Sequence, residues 1–216
     1  MYAIPKIKHK HKVCVICEGD EEYTYFERLT KLAVWSEIYE FKALNAHGIS
    51  KIAALYTNTY QNDNYEIVLV FCDTDKNPQN HYRSLKKKIN EFHGGDGRSR
   101  IADKIIIFAN PCTMQIVLSH FGDVSLKSQS KKTNASEIER LTGIVNYDGH
   151  KKQIETMCGM IYQRTYLPMK ERISRINKPD TESTSTNFIS FTHYFESENP
   201  KWISDINSSI NRHKLD

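Results

Sequence analysis

The sequence has no apolar run of the roughly 18–20 residues that a membrane-spanning helix needs. Its first twelve residues are basic and contain no apolar core of the kind found in a secretion signal. We therefore expect a cytoplasmic protein without a membrane partner. A Gly-rich phosphate loop is also missing, because Gly94-Gly95-Asp96-Gly97 follows a predicted helix rather than a strand. This leaves less support for a nucleotidyl or phosphoryl transferase.

Cysteines are few, and none has the context of a redox or zinc site. Cys14 and Cys17 have the spacing of a redox pair, but both lie inside an apolar run, where thiols behave as small hydrophobic groups. Hydrophobic residues make up 39% and charged residues 26% of the 216 positions, so the chain can form a packed core. Redox chemistry and wholesale disorder are therefore disfavoured.

Apolar runs alternate with helical patterns in the first half of the chain. This alternation predicts an α/β fold with a mostly parallel sheet flanked by helices. The expected strands are 13–17, 39–44, 67–72 and 104–108, and the expected helices are 21–34, 51–60, 82–92 and 112–121. Beyond them we expect a surface loop at 125–134, helices at 135–141, 150–162 and 167–176, a loop at 177–186, and helices at 187–195 and 201–213. The predicted units are a basic N-terminal arm (1–12), an α/β core (13–121) and a mainly helical C-terminal part packed on the core (122–216).

Two acidic clusters directly follow two of the predicted buried strands. Glu18-Gly19-Asp20-Glu21-Glu22 follows the first strand, and Asp73-Thr74-Asp75 follows the third. Ligands of open α/β sheets bind beyond the carboxyl ends of the strands, and Mg²⁺ prefers carboxylate oxygens. We expect Glu18, Asp73 and Asp75 to form a Mg²⁺ or Mn²⁺ site, with Glu18 alternatively acting as a general acid or base. The competing interpretation is helix capping, which Glu21 and Glu22 suit because they fall in the first turn of a predicted helix.

Basic residues surround these clusters, although the formal net charge is only +4. An acidic metal site within a basic surround suits a polyanionic substrate, so we expect RNA or DNA as a partner. Lys76 follows the second cluster and can offset phosphate charge. The candidate nucleic-acid contacts are Lys8, Lys10, Lys12, Lys131 and Lys132.

The order of these motifs resembles the Toprim arrangement, and more closely that of the RloB-like proteins, a Toprim-related group often found beside prokaryotic restriction or antiphage loci. The matching residues are Glu18, Gly19, Glu22, Tyr25 and Phe26, then the strand 70–72 with Asp73 and Asp75, then Asn110-Pro111-Cys112 with His120-Phe121. The resemblance implies a Toprim-like fold and a Mg²⁺- or Mn²⁺-dependent nuclease acting on RNA, including tRNA, or DNA in antiphage defence. It implies Glu18, Asp73 and Asp75 as catalytic residues, with Glu22 supporting them. Asn110 at the third strand tip is a further supporting candidate. His120 lies late in a short predicted apolar helix and has two interpretations: a packing or C-cap residue, or, if it faces the crevice, a supporting residue that contacts phosphate or transfers a proton.

One position departs from the family pattern. The family usually has Phe-Glu after Asn-Pro-Cys, whereas this chain has Thr113-Met114. The alternative hypothesis is therefore a catalytically weak or inactive module that binds nucleic acid or a partner ATPase within a defence complex. A homo-oligomer or a larger assembly is compatible with either function.

Overall fold

A five-stranded sheet forms the centre of the protein. The computed structural model describes residues 9–74, 79–96 and 98–211, excluding the side chain of residue 211. The strand order is β2-β1-β3-β4-β5; the first four strands are parallel, and β5 runs antiparallel to β4. The strands are β1 His11–Cys17, β2 Tyr39–Asn45, β3 Ile67–Asp73, β4 Ile106–Asn110 and β5 Ser185–Thr186.

Helices follow or flank the strands, and the predicted α/β class with a mostly parallel sheet and a helical C-terminal region is confirmed. This arrangement is consistent with a Toprim-like fold. The helices are α1 Asp20–Lys31, α2 Ile49–Asn62, α3 Asn80–Phe92, α4 Ala102–Ile105, α5 Met114–Leu118, α6 Lys131–Thr142, α7 Lys151–Gly159, α8 Gln163–Ser174, α9 Phe188–Glu196 and α10 Lys201–Asn211. No helix in the described part of the chain is both long and apolar enough to span a membrane.

The two central strands, β1 and β3, are covered on both faces. Residues 13–17 are fully buried, as expected for a continuous apolar run in a parallel sheet. An aromatic cluster then joins the C-terminal part to the core: the Phe195 ring of α9 lies 5.1 Å from Trp35 and 6.1 Å from Phe26 of α1. The Trp35 indole also donates a hydrogen bond of 3.0 Å to the Tyr166 hydroxyl of α8. The region beyond residue 121 is thus built into the same core.

Several expected boundaries change. β1 begins at His11, so the end of the predicted arm 1–12 belongs to the sheet. The predicted loop 125–134 contains the start of α6, and buried amides hold it in place: Gln115 accepts from the Leu126 N–H at 2.7 Å, and Asn134 donates to the Ser128 carbonyl at 2.8 Å. The polar composition of this segment predicted a surface loop. The prediction failed because composition does not show that these amides bond to backbone groups inside the protein.

The sheet also gains a fifth strand that the sequence analysis placed in a loop. β5 has only two residues, too few to produce a recognisable alternation of apolar and polar side chains. Beyond it, the side chain of Asn187 takes the place of a strand partner. Its amide donates to the Ile106 carbonyl at 2.8 Å and accepts from the Phe108 N–H at 2.8 Å.

Replacing Asn187 with alanine should destabilise the fold, because two backbone groups of β4 lose their partner. An unpaired buried polar group costs roughly 1–3 kcal/mol, so the free energy of unfolding in urea should fall by about that amount or more. The control is Asn62→Ala on α2, where the amide bonds only to exposed Asn58 and the expected change is within about 0.5 kcal/mol. Equal stability of both variants would contradict this role of Asn187.

Candidate functional site

The carboxyl ends of β1 and β3 open into a cavity of about 360 Å³. Because the two strands are adjacent and parallel, residues that follow them meet at the same edge of the sheet. α1, β3 and the segments around residues 112, 129–131 and 149–154 form the walls. The lining residues are Glu18, Gly19, Asp20, Glu21, Glu22, Gly48, Asp73, Cys112, Gln129, Lys131, Gly149 and Ile154.

Asp73, the last residue of β3, is held by Thr113. The Thr113 backbone N–H and hydroxyl both donate to Asp73 Oδ1, at 2.6 Å and 2.9 Å. Burial raises the pKa of Asp73 well above its ordinary value, and the neighbouring carboxylates of Glu22 and Glu18 raise it further. The Thr113 hydrogen bond acts in the opposite direction and favours the charged carboxylate. Thr113 thus holds the Asp73 carboxylate in a position where burial and the neighbouring acids disfavour its ionised form.

Glu18 connects the tips of β1 and β3. Its backbone N–H donates to the Phe71 carbonyl at 2.9 Å, which extends the pairing of the two strands by one residue. Its side-chain Oε2 accepts a hydrogen bond of 3.0 Å from the Asp73 backbone N–H. The structure therefore brings together Glu18 and Asp73, two of the three predicted metal ligands.

Glu22 both caps α1 and faces the cavity. Its Oε2 accepts from the Gly19 backbone N–H at 2.9 Å, the contact expected of a glutamate in the first helical turn. The side chain is only 4% exposed. Burial, followed by the repulsion from Glu21, raises the pKa of Glu22 to about 7. The two interpretations of this acidic cluster are therefore compatible at Glu22.

A lysine from the C-terminal part completes the wall. Lys131 Nζ lies 2.5 Å from Glu21 Oε1, and the Tyr147 hydroxyl donates to the same oxygen at 2.7 Å. Gly149 leaves the room for this lysine: its φ is +83°, and a Cβ at that position would lie 2.0 Å from Lys131 Nζ. The neighbouring acids raise the pKa of Lys131 despite its partial burial, so the ammonium stays charged. Among the described residues that line the cavity, Lys131 is the single basic one, against five carboxylates.

Other predicted residues lie elsewhere. Asp75, Lys76 and Lys8 fall outside the described residues. The Asn110 amide donates to the Glu182 carbonyl at 2.7 Å and so anchors the segment before β5. Lys10 and Lys12 are exposed at the amino end of β1, the opposite end of the strand from the cavity, whereas exposed Lys132 neighbours Lys131 on α6.

His120 is buried away from the cavity lining. Its ring nitrogens bond to the Tyr25 hydroxyl at 2.9 Å and the Thr165 hydroxyl at 2.8 Å. Burial lowers the pKa of His120 to about 3, so the imidazole is neutral at physiological pH. This geometry gives His120 a packing role, one of the two alternatives for this residue.

Two members of the site, Thr113 and Tyr147, were not predicted from the sequence. Thr113 lies three residues after the end of β4, and its position beyond a strand tip is a usable signal for a site residue. Met114 is 2% exposed and packs in the hydrophobic core instead of lining the cavity. Tyr147 is separated from Glu21 by 126 positions, and no local pattern predicts their contact.

Comparisons with protein-family models, curated proteins and solved structures found no match for this chain. The resemblance to RloB-like proteins accordingly remains a prediction from the motifs.

Neutralising the site should stabilise the metal-free protein at high pH. The raised pKa values of Glu22 and Asp73 mean that the folded chain binds protons more tightly than the unfolded chain. Their favourable contribution is present below the ordinary carboxylate pKa and is lost as pH rises through about 7 for Glu22. In EDTA at pH 8, the Asp73→Asn protein should therefore need more urea to unfold than wild type. Its free energy of unfolding should be higher by about 1 kcal/mol or more, and the gain should be smaller at pH 5.

Glu91→Gln on α3 is the control, because Glu91 is exposed and lies outside the cavity. Its stability should follow wild type at both pH values. A destabilised Asp73→Asn protein at pH 8 would contradict the electrostatic description of the site.

Proposed function

We propose that this protein is a divalent-metal-dependent nuclease that hydrolyses phosphodiester bonds in RNA, including tRNA, or in DNA. One observation carries the proposal: the fold gathers the carboxylates of Glu18, Glu21, Glu22 and Asp73 into one cavity, where Lys131 is the single lysine among the described lining residues. Such an arrangement costs stability unless a cation neutralises it. Carboxylate clusters at the carboxyl ends of parallel strands are suited to phosphate chemistry because a bound metal can meet the substrate there.

The donor set suits Mg²⁺ or Mn²⁺. These hard cations prefer oxygen ligands, and Mg²⁺ typically binds through one or two carboxylates together with water and substrate phosphate. Glu18 and Asp73, on neighbouring strand tips, would hold the ion. When bound, the metal activates a water molecule and stabilises charge on the oxygens of the reacting phosphate.

The surrounding residues have complementary roles in this proposal. Thr113 orients Asp73 through two hydrogen bonds to one oxygen, leaving the other oxygen for the metal. Glu22, with a pKa of about 7 in the metal-free chain, can exchange a proton near neutral pH. Lys131 can offset phosphate charge because its ammonium group lies in the cavity wall. Its partner Glu21 also accepts a hydrogen bond from the Tyr147 hydroxyl.

Exposed basic residues near the cavity support a polyanionic substrate. Lys132 follows Lys131 on α6, and Lys151 and Lys152 begin α7 two residues after Gly149 in the cavity wall. Lys151 also lines a groove with Lys31 of α1, and Glu27 and Glu155 line the same groove. The exposed lysines beside the cavity would attract the phosphate backbone of such a substrate. By resemblance to RloB-like proteins, we place the activity in prokaryotic antiphage or restriction-associated defence, with an ATPase as a possible partner.

The test is cleavage of labelled tRNA, single-stranded RNA and DNA with Mg²⁺ or Mn²⁺. Wild type should cut at least one substrate in a metal-dependent manner, and EDTA should abolish the activity. Glu18→Gln and Asp73→Asn should each lower the rate by about 100-fold or more, because each removes a charge from the reacting centre. Glu91→Gln should retain wild-type activity.

A calorimetric metal titration separates this function from the alternative, a catalytically weak or inactive module that binds nucleic acid or a partner ATPase. No Mg²⁺ or Mn²⁺ binding, with binding of nucleic acid retained, would favour the alternative. Cleavage by Asp73→Asn at the wild-type rate would show that the site is not catalytic.

A further inference from the structure

A second group of metal-ligating side chains lies at the other end of β1. His9 precedes the strand, His11 begins it, and Glu66 immediately precedes β3. His9 and His11 are two positions apart, and such residues of an extended chain face the same side. This cluster lies at the amino ends of β1 and β3, whereas the acidic cavity lies at their carboxyl ends. We infer that His9, His11 and Glu66 form a separate site for Zn²⁺ or a similar transition-metal ion.

The distances fit a metal site that closes around its ion. His11 Nδ1 lies 2.9 Å from Glu66 Oε2. One potential ligand atom from each of the three residues lies within 4.8 Å of the other two. Zinc bonds of about 2.1 Å in a tetrahedral site place ligand atoms about 3.4 Å apart. Bringing the three atoms to that spacing takes a movement of roughly 1 Å, which the exposed side chain of His9 can make by rotation.

Two of the three ligands are already held by their surroundings. The His11 backbone N–H donates to the Ile38 carbonyl at 2.8 Å, and its ring packs 6.2 Å from that of Tyr39. The Glu66 N–H donates to the Lys12 carbonyl at 2.9 Å, while the Asn207 side chain of α10 donates to the Glu66 carbonyl at 2.8 Å. The backbone part of the conformational cost of ordering these two ligands has therefore been met before a metal binds.

The ligand types separate this site from the acidic cavity. Two imidazoles and one carboxylate form a nitrogen–oxygen set that suits zinc, whereas the cavity offers oxygen donors that suit Mg²⁺ or Mn²⁺. Three protein ligands leave a fourth tetrahedral position for water or another donor. Since the ligands come from the starts of β1 and β3, a bound ion would link the two segments that lead into these strands. We therefore assign the site a stabilising role that is independent of catalysis.

The experiment is a calorimetric titration of the metal-stripped full chain with Zn²⁺ in excess Mg²⁺, which competes for the acidic cavity. His9→Ala and Glu66→Gln are the main variants, because both side chains are exposed and their loss should leave the fold intact. Each should weaken zinc binding by about tenfold or more, as even outer-sphere changes at metal sites cost 10–100-fold. His11→Ala should do the same, and His193→Ala on the exposed face of α9 is the control that keeps wild-type affinity.

A thermal unfolding scan provides a second measurement on the same proteins. Zinc should raise the melting temperature of wild type and His193→Ala, and should raise that of His9→Ala and Glu66→Gln much less. The inference is wrong if wild type binds no Zn²⁺, or if His9→Ala and Glu66→Gln bind it as tightly as wild type. It is equally wrong if His193→Ala weakens binding as much as they do.

Discussion

The repulsion between carboxylates at the ends of β1 and β3 is the constraint around which the site is organised. Burial raises the pKa of Asp73 most, and the neighbouring carboxylates of Glu22 and Glu18 raise it further. The sheet order makes this unavoidable, because β1 pairs directly with β3 and the Asp73 N–H donates to the Glu18 side chain. Thr113, following β4, then fixes Asp73 through two hydrogen bonds. Three adjacent strands thus hold together carboxylates whose ionised forms repel one another, and we propose a divalent cation as their neutralising partner.

The compensating positive charge comes from a distant part of the chain. Lys131, Tyr147 and Gly149 all lie beyond residue 121, where the predicted α/β core ended, yet they shape one wall of the cavity. β5 likewise pairs with β4 from the C-terminal part. The division at residue 121 therefore marks the end of the regular strand–helix alternation, while the site and the sheet draw on both sides of it. The ion pair of Lys131 also shows why its environment was not visible in the sequence. Its partner Glu21 lies 110 positions away in the chain and is close only in the folded protein.

Local pattern predicted the features that depend on strand periodicity. Three of the five strands follow from continuous apolar runs, and the meeting of Glu18 with Asp73 follows from the parallel pairing of β1 with β3. What the sequence could not supply are contacts set by tertiary packing. Gln115 and Asn134 order a segment whose composition predicted a loop, and Asn187 completes a sheet edge next to a two-residue strand. His120 lies late in the predicted helix 112–121, a position compatible with either packing or catalysis. Only its hydrogen bonds to Tyr25 and Thr165 identify the packing role.

The central claim is that the acidic cavity binds a divalent cation through Glu18 and Asp73. A crystal structure of the protein grown with Mn²⁺, with anomalous diffraction recorded to locate the ion, tests it directly. The claim predicts an anomalous peak in the cavity, about 2.1 Å from a carboxylate oxygen of Glu18 or Asp73, and no such peak in Asp73→Asn crystals grown in the same way. Wild-type crystals with Mn²⁺ bound only elsewhere, or with the cavity filled by water alone, would contradict it.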